Sequence, residues 1–339
     1  MVAVDVTTLN ASVLEGWLSA AVAAPSIFNT QPWSFHLDTE STAVEVRAAP
    51  ERCLRATDPT GRALHLSVGA AVFNLRVAMA HDGWMPVTRL LPRPDEPGLL
   101  ATVRPERARR KTFPEHRPDL YDVIWRRHSS RFPFSNRPLP AEVCAELSDA
   151  AHTNGAVLSF PTTTEKAFLL RVTAEAEERD RTHPERAAES CRWVRRDERG
   201  QADVGLPRAS LGVQDSREQL PMRDFTAQRH LTRLPAREFE RRPVIAMLTT
   251  AHDRRADWLR AGQALQHVLL VATAHGLRTS LLHQAMEWPD LRRKLRPEPE
   301  HVGHAHMLVR LGYGPEGPSS PRRAPNEVLL MPTRRAERS

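Results

Sequence analysis

The strongest constraint on the fold is an internal repeat. Gly69-Ala70-Ala71-Val72 through Gly83-Trp84 aligns without gaps on Gly262-Gln263-Ala264-Leu265 through Gly276-Leu277, a step of 193 residues. A second pair, Leu18-Ser19-Ala20-Ala21 against Leu147-Ser148-Asp149-Ala150, aligns at a step of 129. Two related helices in each half predict two lobes of one architecture, and a chain of 339 residues is long enough for two cores. The steps differ by 64 residues, so the second half carries extra chain between its helices. The charged, weakly periodic stretch 175–241 is the expected place for it, and a long irregular insertion in a compact lobe is most often a functional lid. The competing reading is a chance match of alanine-rich helices.

The local pattern fills in both lobes. In the first (1–115), residues 13–23 are an apolar helical run, and 33–37 with 43–47 read as a hairpin. Asp58-Pro59 has the form of a helix cap followed by a first-turn proline. Behind it Ala63, Leu66, Ala70, Phe73, Val77, Ala80 and Trp84 recur at three- and four-residue steps, one face of a long helix closed by Gly83. A strand follows at 87–91, and the proline-rich segment 92–118 is expected to connect the lobes. In the second lobe (116–339), helices are expected at 141–151, 167–193 and 258–275, and strands at 158–160, 244–249 and 307–311. The fold class is α+β.

Composition narrows the partners. The formal charge is +7, but only three of the 48 basic residues are lysine, and the arginines are scattered. The densest cluster, Arg104 to Lys111, has no interleaved aromatics for base stacking, so a solvated linker is expected and no nucleic acid. The run 18–24 resembles the end of a secretory leader. Asp5 and Glu15 precede the first basic residue, Arg47, which argues against one. With no apolar run of spanning length and three sparse cysteines, the expectation is a cytoplasmic protein with no membrane partner. His301, His304 and His306 are close enough to suggest a metal, but no carboxylate or cysteine is suitably placed beside them, and no metal is expected. No glycine-rich nucleotide loop is present.

The informative loop is Ala24-Pro25-Ser26-Ile27-Phe28-Asn29-Thr30-Gln31-Pro32-Trp33. Two prolines stiffen it, and rigid polar loops between buried elements carry ligand contacts. An ordinary Asx-type turn is the plainer alternative. This loop resembles the second flavin motif of the FMN-dependent nitroreductase family. Arg127-His128-Ser129-Ser130-Arg131 resembles that family's first motif, and Leu311-Gly312-Tyr313-Gly314 with Pro321-Arg322-Arg323 resembles its closing strand and basic tail. Asp58-Pro59-Thr60-Gly61-Arg62 and residues 126–134 narrow the likeness to the actinobacterial Acg-like subgroup, which fuses two nitroreductase lobes in one chain.

The resemblance implies a nitroreductase-like fold with FMN contacts at Pro25, Ser26, Ile27 and Asn29 from one lobe, and at Arg127, His128, Ser129 and Arg131 from the other. Arginine grips phosphate by bidentate charge-assisted hydrogen bonds, so Arg127, Ser129, Arg322 and Arg323 are the phosphate candidates, and Arg131 the candidate for the pyrimidine edge. Ser280 and Gln284 are assigned to the flavin neighbourhood. His283 is either a proton donor or a structural histidine. No catalytic side chain need touch the substrate, since the cofactor carries the reaction.

The first lobe lacks the basic motif, and Ala151-His152-Thr153-Asn154-Gly155 replaces the Pro-Ser loop in the second. One complete site can form, so one FMN per chain is expected in a largely monomeric pseudo-dimer. NAD(P)H would serve as reductant and a nitroaromatic, quinone or similar small molecule as acceptor, in a ping-pong cycle. The alternative is a flavin-sequestering protein whose insertion closes over the ring.

Overall fold

The computed structural model of the chain describes residues 10–107, 120–195, 203–225, 235–295 and 303–330. Helix α1 (Ala11–Val22) starts at Asn10, whose side chain accepts from the Ser12 N–H. Strands β1 (Trp33–Asp38) and β2 (Ala43–Ala48) form the expected hairpin, with Trp33 opposite Ala48. Helix α2 (Arg62–His81) follows, then β3 (Trp84–Leu90) and β4 (Leu99–Arg107). The sheet order is β1-β2-β4-β3, all antiparallel.

Three details differ from the sequence reading. Helix α2 begins at Arg62 and not at Pro59, because Gly61 turns the chain at φ +72° and Asp58 caps from further back, its Oδ2 accepting from the Leu64 N–H at 2.8 Å. Trp84 lies in a strand, since Gly83 (φ +81°) reverses the chain before it. The stretch expected as a linker contains β4, whose Leu99, Leu100, Ala101 and Val103 are all buried. Residues 108–111 of the basic cluster lie outside the described residues.

The second half opens with α3 (Tyr121–Arg126) and α4 (Ala141–His152), then β5 (Val157–Ser159). The insertion follows, with α5 (Thr163–Thr182), α6 (Pro184–Arg192) and a small parallel pair, β6 (Gln214–Asp215) with β7 (Ala236–Arg237). The single charged helix expected at 167–193 is broken at His183-Pro184, where proline cannot continue a helix. The chain then resumes with β8 (Val244–Thr250), α7 (Arg255–Ala274), β9 (Arg278–Leu282), α8 (Pro289–Lys294), β10 (His304–Gly312) and α9 (Pro325–Val328). The sheet order is β5-β8-β10-β9. In chain order, the strands of both sheets occupy positions first, second, fourth, third.

The insertion replaces the hairpin turn. Residues 39–42 join β1 to β2, whereas 160–243 join the corresponding β5 to β8. It therefore begins earlier than residue 175. Its α5 and later segments cover one face of the second sheet through Leu169, Val172, Val213, Leu220 and Phe239, while α4 and α7 cover the other. Burial on both faces explains why β8 reads as a continuous apolar run.

The halves are interlocked. Val123 and Ile124 of α3, and Val328 of α9, are buried in the first lobe's core, and Leu329 bridges to Phe35 in β1. At the centre α2 crosses α7. Among the described residues α2 is the one helix long and apolar enough to cross a membrane, and 83% of its most apolar window is buried inside the protein.

Candidate functional site

The loop after α1 is held in a costly conformation. Phe28, Asn29 and Gln31 all have positive φ (49°, 54° and 50°) without being glycine, a strain that clusters at functional sites. Local bonds enforce it: Ser26 Oγ accepts from the Gln31 N–H at 2.9 Å, and Ser67 Oγ of α2 accepts from the Ile27 N–H at 3.3 Å.

Two adjoining cavities open beside this loop, sharing Pro25, Ser26, Arg131, Leu206 and Leu281 as walls. One is basic, lined further by Asn29, Arg127, His128, Ser129, Ser210, Pro318, Ser320 and Arg322. The other is mainly apolar, lined by Ile27, Phe28, Ala63, Leu66, Ser67, Ala70, Leu265 and Met307, with Arg223, Phe225, His283 and Gln284. The folding of both lobes thus brings Pro25, Ser26, Ile27, Asn29, Arg127, His128, Ser129, Arg131, Gln284 and Arg322 to one place.

In the basic cavity the charge is uncompensated. Arg127 is 3% exposed, and among the described residues its Nε and Nη1 have no hydrogen-bond partner; nor does Nε of Arg322. Neither guanidinium forms an ion pair among the described residues. Burial pushes Arg127 down to about 10, and burial together with the charge of Arg127 pushes Arg322 down to about 9. Burial, then Arg127 and Arg322, lower His128. Buried unpaired cations are expensive. Such a site is built for an anion with several acceptor oxygens.

The junction belongs to Arg131. Its Nη1 donates to the Ser210 carbonyl at 2.5 Å, and its guanidinium lies 4.8 Å from the Phe225 ring centre. Gly212 (φ +81°) lets the insertion pack there, since a Cβ would sit 2.4 Å from Arg131 Cβ. Burial, then Arg223, push Arg131 down to about 10.

The insertion roofs the apolar cavity. Phe225 meets Phe28 edge-on at 5.7 Å, and Arg223 lies 4.8 Å from the Phe28 ring centre. Leu54, Val194, Leu206 and Leu211 complete this small core between insertion and first lobe. Arg223 is anchored from behind by Glu287 and by Asp180 (3.1 Å). Burial opposes ionisation of Glu287, but Arg223, then His283, outweigh it and hold its carboxyl down to about 2.

His283 is fully engaged. Arg62 Nη2 lies 2.9 Å from its Nε2, and arginine only donates, so Nε2 accepts and Nδ1–H donates to Glu287 Oε1 at 2.9 Å. Burial pushes the imidazole down to about 4 despite Glu287. It is neutral at pH 7 and has no proton to offer the cavity.

Some expected residues sit elsewhere. Ser280 is buried in β9 and lines neither cavity, while its neighbour Leu281 lines both, as strand alternation requires. Arg323 also lines neither; its Nη2 donates to the Gln31 and Trp33 carbonyls at 2.9 and 2.7 Å, tying the tail to the loop. Asn29 borders the basic cavity, but its amide is taken by protein partners. His301 lies outside the described residues; His306 Nε2 meets Thr250 Oγ1 at 2.6 Å, and among the described residues no group of three metal-ligating side chains occurs. The sequence reading missed Phe28, Leu206, Arg223, Phe225 and Leu281. Phe28 lay inside the motif, and Arg223 and Phe225 carried no local signal.

Comparison with known proteins gives a consistent outcome. The Nitroreductase family model matches residues 124–313. A Mycobacterium tuberculosis protein, Rv3131, is 31% identical over 93% of this chain and 90% of its own length. The Acg protein of the same organism is 29% identical over 95% of this chain and 97% of its own. Both carry the provisional name of NAD(P)H nitroreductase. A solved structure, the FMN-dependent nitroreductase NfnB from Mycobacterium smegmatis in complex with NADPH, overlaps 62% of this chain and 96% of its own. Its identity is 16% and its TM-score 0.38, too loose a superposition to carry residue roles across.

Proposed function

The chain belongs to the nitroreductase family, and from that premise we propose that it is an FMN-binding NAD(P)H oxidoreductase with one flavin held across the two lobes. The observation that carries the reading is the pair Arg127 and Arg322, with unpartnered donors in a buried cavity free of carboxylates among its lining residues. A phosphate dianion supplies the missing acceptors and charge. The adjoining apolar cavity, floored by the small side chains Ala63, Ser67 and Ala70 of α2, suits a planar ring. The chemistry such a group supplies is two-electron transfer from NAD(P)H to an electrophilic small molecule such as a nitroaromatic or quinone, in a ping-pong cycle.

The chain's own residues bind, orient and exclude water. Arg127, Arg322, Ser129 and His128 hold the phosphate end. Arg131 places a fixed positive charge at the junction, where it stabilises negative charge on a bound ring. Phe28, Leu281 and Met307 exclude water from the ring's surroundings.

A pseudo-dimeric chain with one site fits the repeat. Ser67 and Ala70, which line the apolar cavity, correspond at the 193-residue step to Arg260 and Gln263. Arg260 pairs with Asp257 at 2.8 Å and Gln263 accepts from Arg76 at 2.7 Å, so the mirror positions carry larger polar side chains that are already engaged with the protein. Three cysteines, with no disulfide among the described residues, support a reducing compartment, the cytoplasm.

A second reading has its own support. Arg223, Phe225 and Leu206 of the insertion line the same cavity as Phe28, which favours a protein that holds flavin behind a closed lid with little turnover. The visible spectrum of the purified protein tests the shared premise, and a colourless protein that takes up no FMN overturns both. Stopped-flow mixing with NADPH separates them: bleaching within seconds supports the oxidoreductase, and none within minutes supports sequestration.

A further inference from the structure

Asn29 is 4% exposed, and its amide orientation is unambiguous. Arg322 Nη1 can only donate, so the atom 2.9 Å from it is Oδ1. The carbonyls of Gly205 and Pro321 can only accept, so the atom at 3.0 and 2.9 Å from them is Nδ2. The backbone carbonyl of Asn29 also accepts from the Gly205 N–H at 3.1 Å. Both amide hydrogens are spent on protein, one toward the insertion and one toward the tail.

Gln31 repeats the arrangement two residues on. Its Nε2 donates to the Asp203 carbonyl of the insertion at 2.5 Å, and its Oε1 accepts from the Arg323 N–H of the tail at 2.9 Å. Two buried side-chain amides of the first lobe therefore join the same two segments. Arg322 is held along Nη1 by Asn29 Oδ1 and by the Ser320 and Pro321 carbonyls, both at 3.1 Å, while its Nε in the wall of the basic cavity stays unpartnered.

We propose that Asn29, seconded by Gln31, is a positioning residue that couples anion binding in the basic cavity to closure of the insertion. An anion on Arg322 orders the tail, and the tail and segment 203–206 share one amide. By linkage, whatever favours one arm of the clasp favours the other. The inference rests on the reading of the basic cavity as a phosphate site, but requires only an anion there.

The test is amide hydrogen exchange at Gly205 in the full chain, with inorganic phosphate or with chloride at equal ionic strength, alongside affinities for FMN and riboflavin. In the wild type, phosphate is expected to slow exchange at Gly205 at least fivefold. Asn29→Ala is expected to abolish that slowing and to reduce the preference for FMN over riboflavin at least tenfold. Should Asn29→Ala fail to fold, Asn29→Asp keeps the shape and the acceptor for Arg322 but removes both donors, and the same loss is expected. Unchanged exchange in the wild type with phosphate, or slowing retained in the variant, overturns the coupling. If FMN binds with a phosphate preference that Asn29→Ala leaves intact, the coupling falls and the flavin reading stands. If FMN does not bind and phosphate still slows Gly205 through Asn29, the flavin reading falls and the coupling stands.

Discussion

Gly69 and Gly262 face each other where α2 crosses α7. A Cβ on Gly69 would lie 2.3 Å from the Leu259 carbonyl oxygen, and one on Gly262 would lie 2.1 Å from that of Leu66. Leu66 and Leu259, like Gly69 and Gly262, are separated by 193 residues. The contact is therefore reciprocal at the repeat's own step. Phe73 stacked on His267 at 4.8 Å and Asn74 accepting from Gln266 at 2.7 Å obey the same exchange.

Gly262→Ala should then force the two helix backbones apart. The expected cost is about 2–3 kcal/mol from overpacking, read as a lower urea midpoint. Gly16→Ala in α1, where nothing lies within 4 Å, should be neutral or stabilising by up to ~1 kcal/mol. Equal midpoints for wild type and Gly262→Ala would remove the close crossing from the account.

Arg127→Met removes a buried cation that has no ion-pair partner among the described residues. Folding without flavin should gain about 1–3 kcal/mol, as replacing uncompensated buried charge does. FMN affinity should fall roughly 10- to 100-fold with the loss of charge-assisted bonds. Denaturant unfolding and flavin titration measure the two effects, and a destabilised variant with full FMN affinity would contradict both.

His283 predicts a loss of stability in mild acid. The unfolded imidazole takes a proton near pH 6.5, whereas the folded one does so only near 4. Between those values the unfolded state binds the extra proton, so stability falls as pH falls and the loss is complete below about 4. His283→Gln can still accept from Arg62 and donate to Glu287 without titrating. Its stability should decline less steeply from pH 6.5 to 4, by up to ~1.4 kcal/mol per pH unit. Identical slopes would mean that His283 is not buried neutral.

Phe225→Ala takes away the edge contact with Phe28 and the surface under Arg131. If the insertion restricts access, bleaching of bound flavin by NADPH should accelerate at least tenfold, with faster flavin release. A bleaching rate equal to wild type would show that this part of the insertion does not gate the site.

One flavin per chain is the expected stoichiometry, from absorbance of the loaded protein, with a monomer by light scattering. The expectation rests on the mirror positions, where Arg260 and Gln263 replace the small Ser67 and Ala70. Two flavins per chain would require another site.

Much of the regular structure was legible in the sequence because it follows from local periodicity. The face Ala63-Leu66-Ala70-Phe73 is helical by spacing alone, and β8 is apolar enough to announce burial on both faces. β4 was hidden because prolines at 92, 94 and 97 precede it and Pro105 lies within it, where proline is tolerated: Pro105 sits opposite Pro86 of the edge strand β3. The break at His183-Pro184 is marked by the proline alone, because the flanking charge pattern runs on without interruption.

The sequence by itself determined the repeat, the family motifs and their division between lobes, because these depend on residue order and identity alone. The tertiary structure decided which residues face the cavities and which merely hold them. Asn29 bonds to Gly205 and Pro321, 176 and 292 residues away, and Arg223 reaches Phe28 from a buried anchor on Glu287 and Asp180. Such pairings are set by chain closure over long separations, where side-chain direction is fixed by packing from elements that local spacing does not encode.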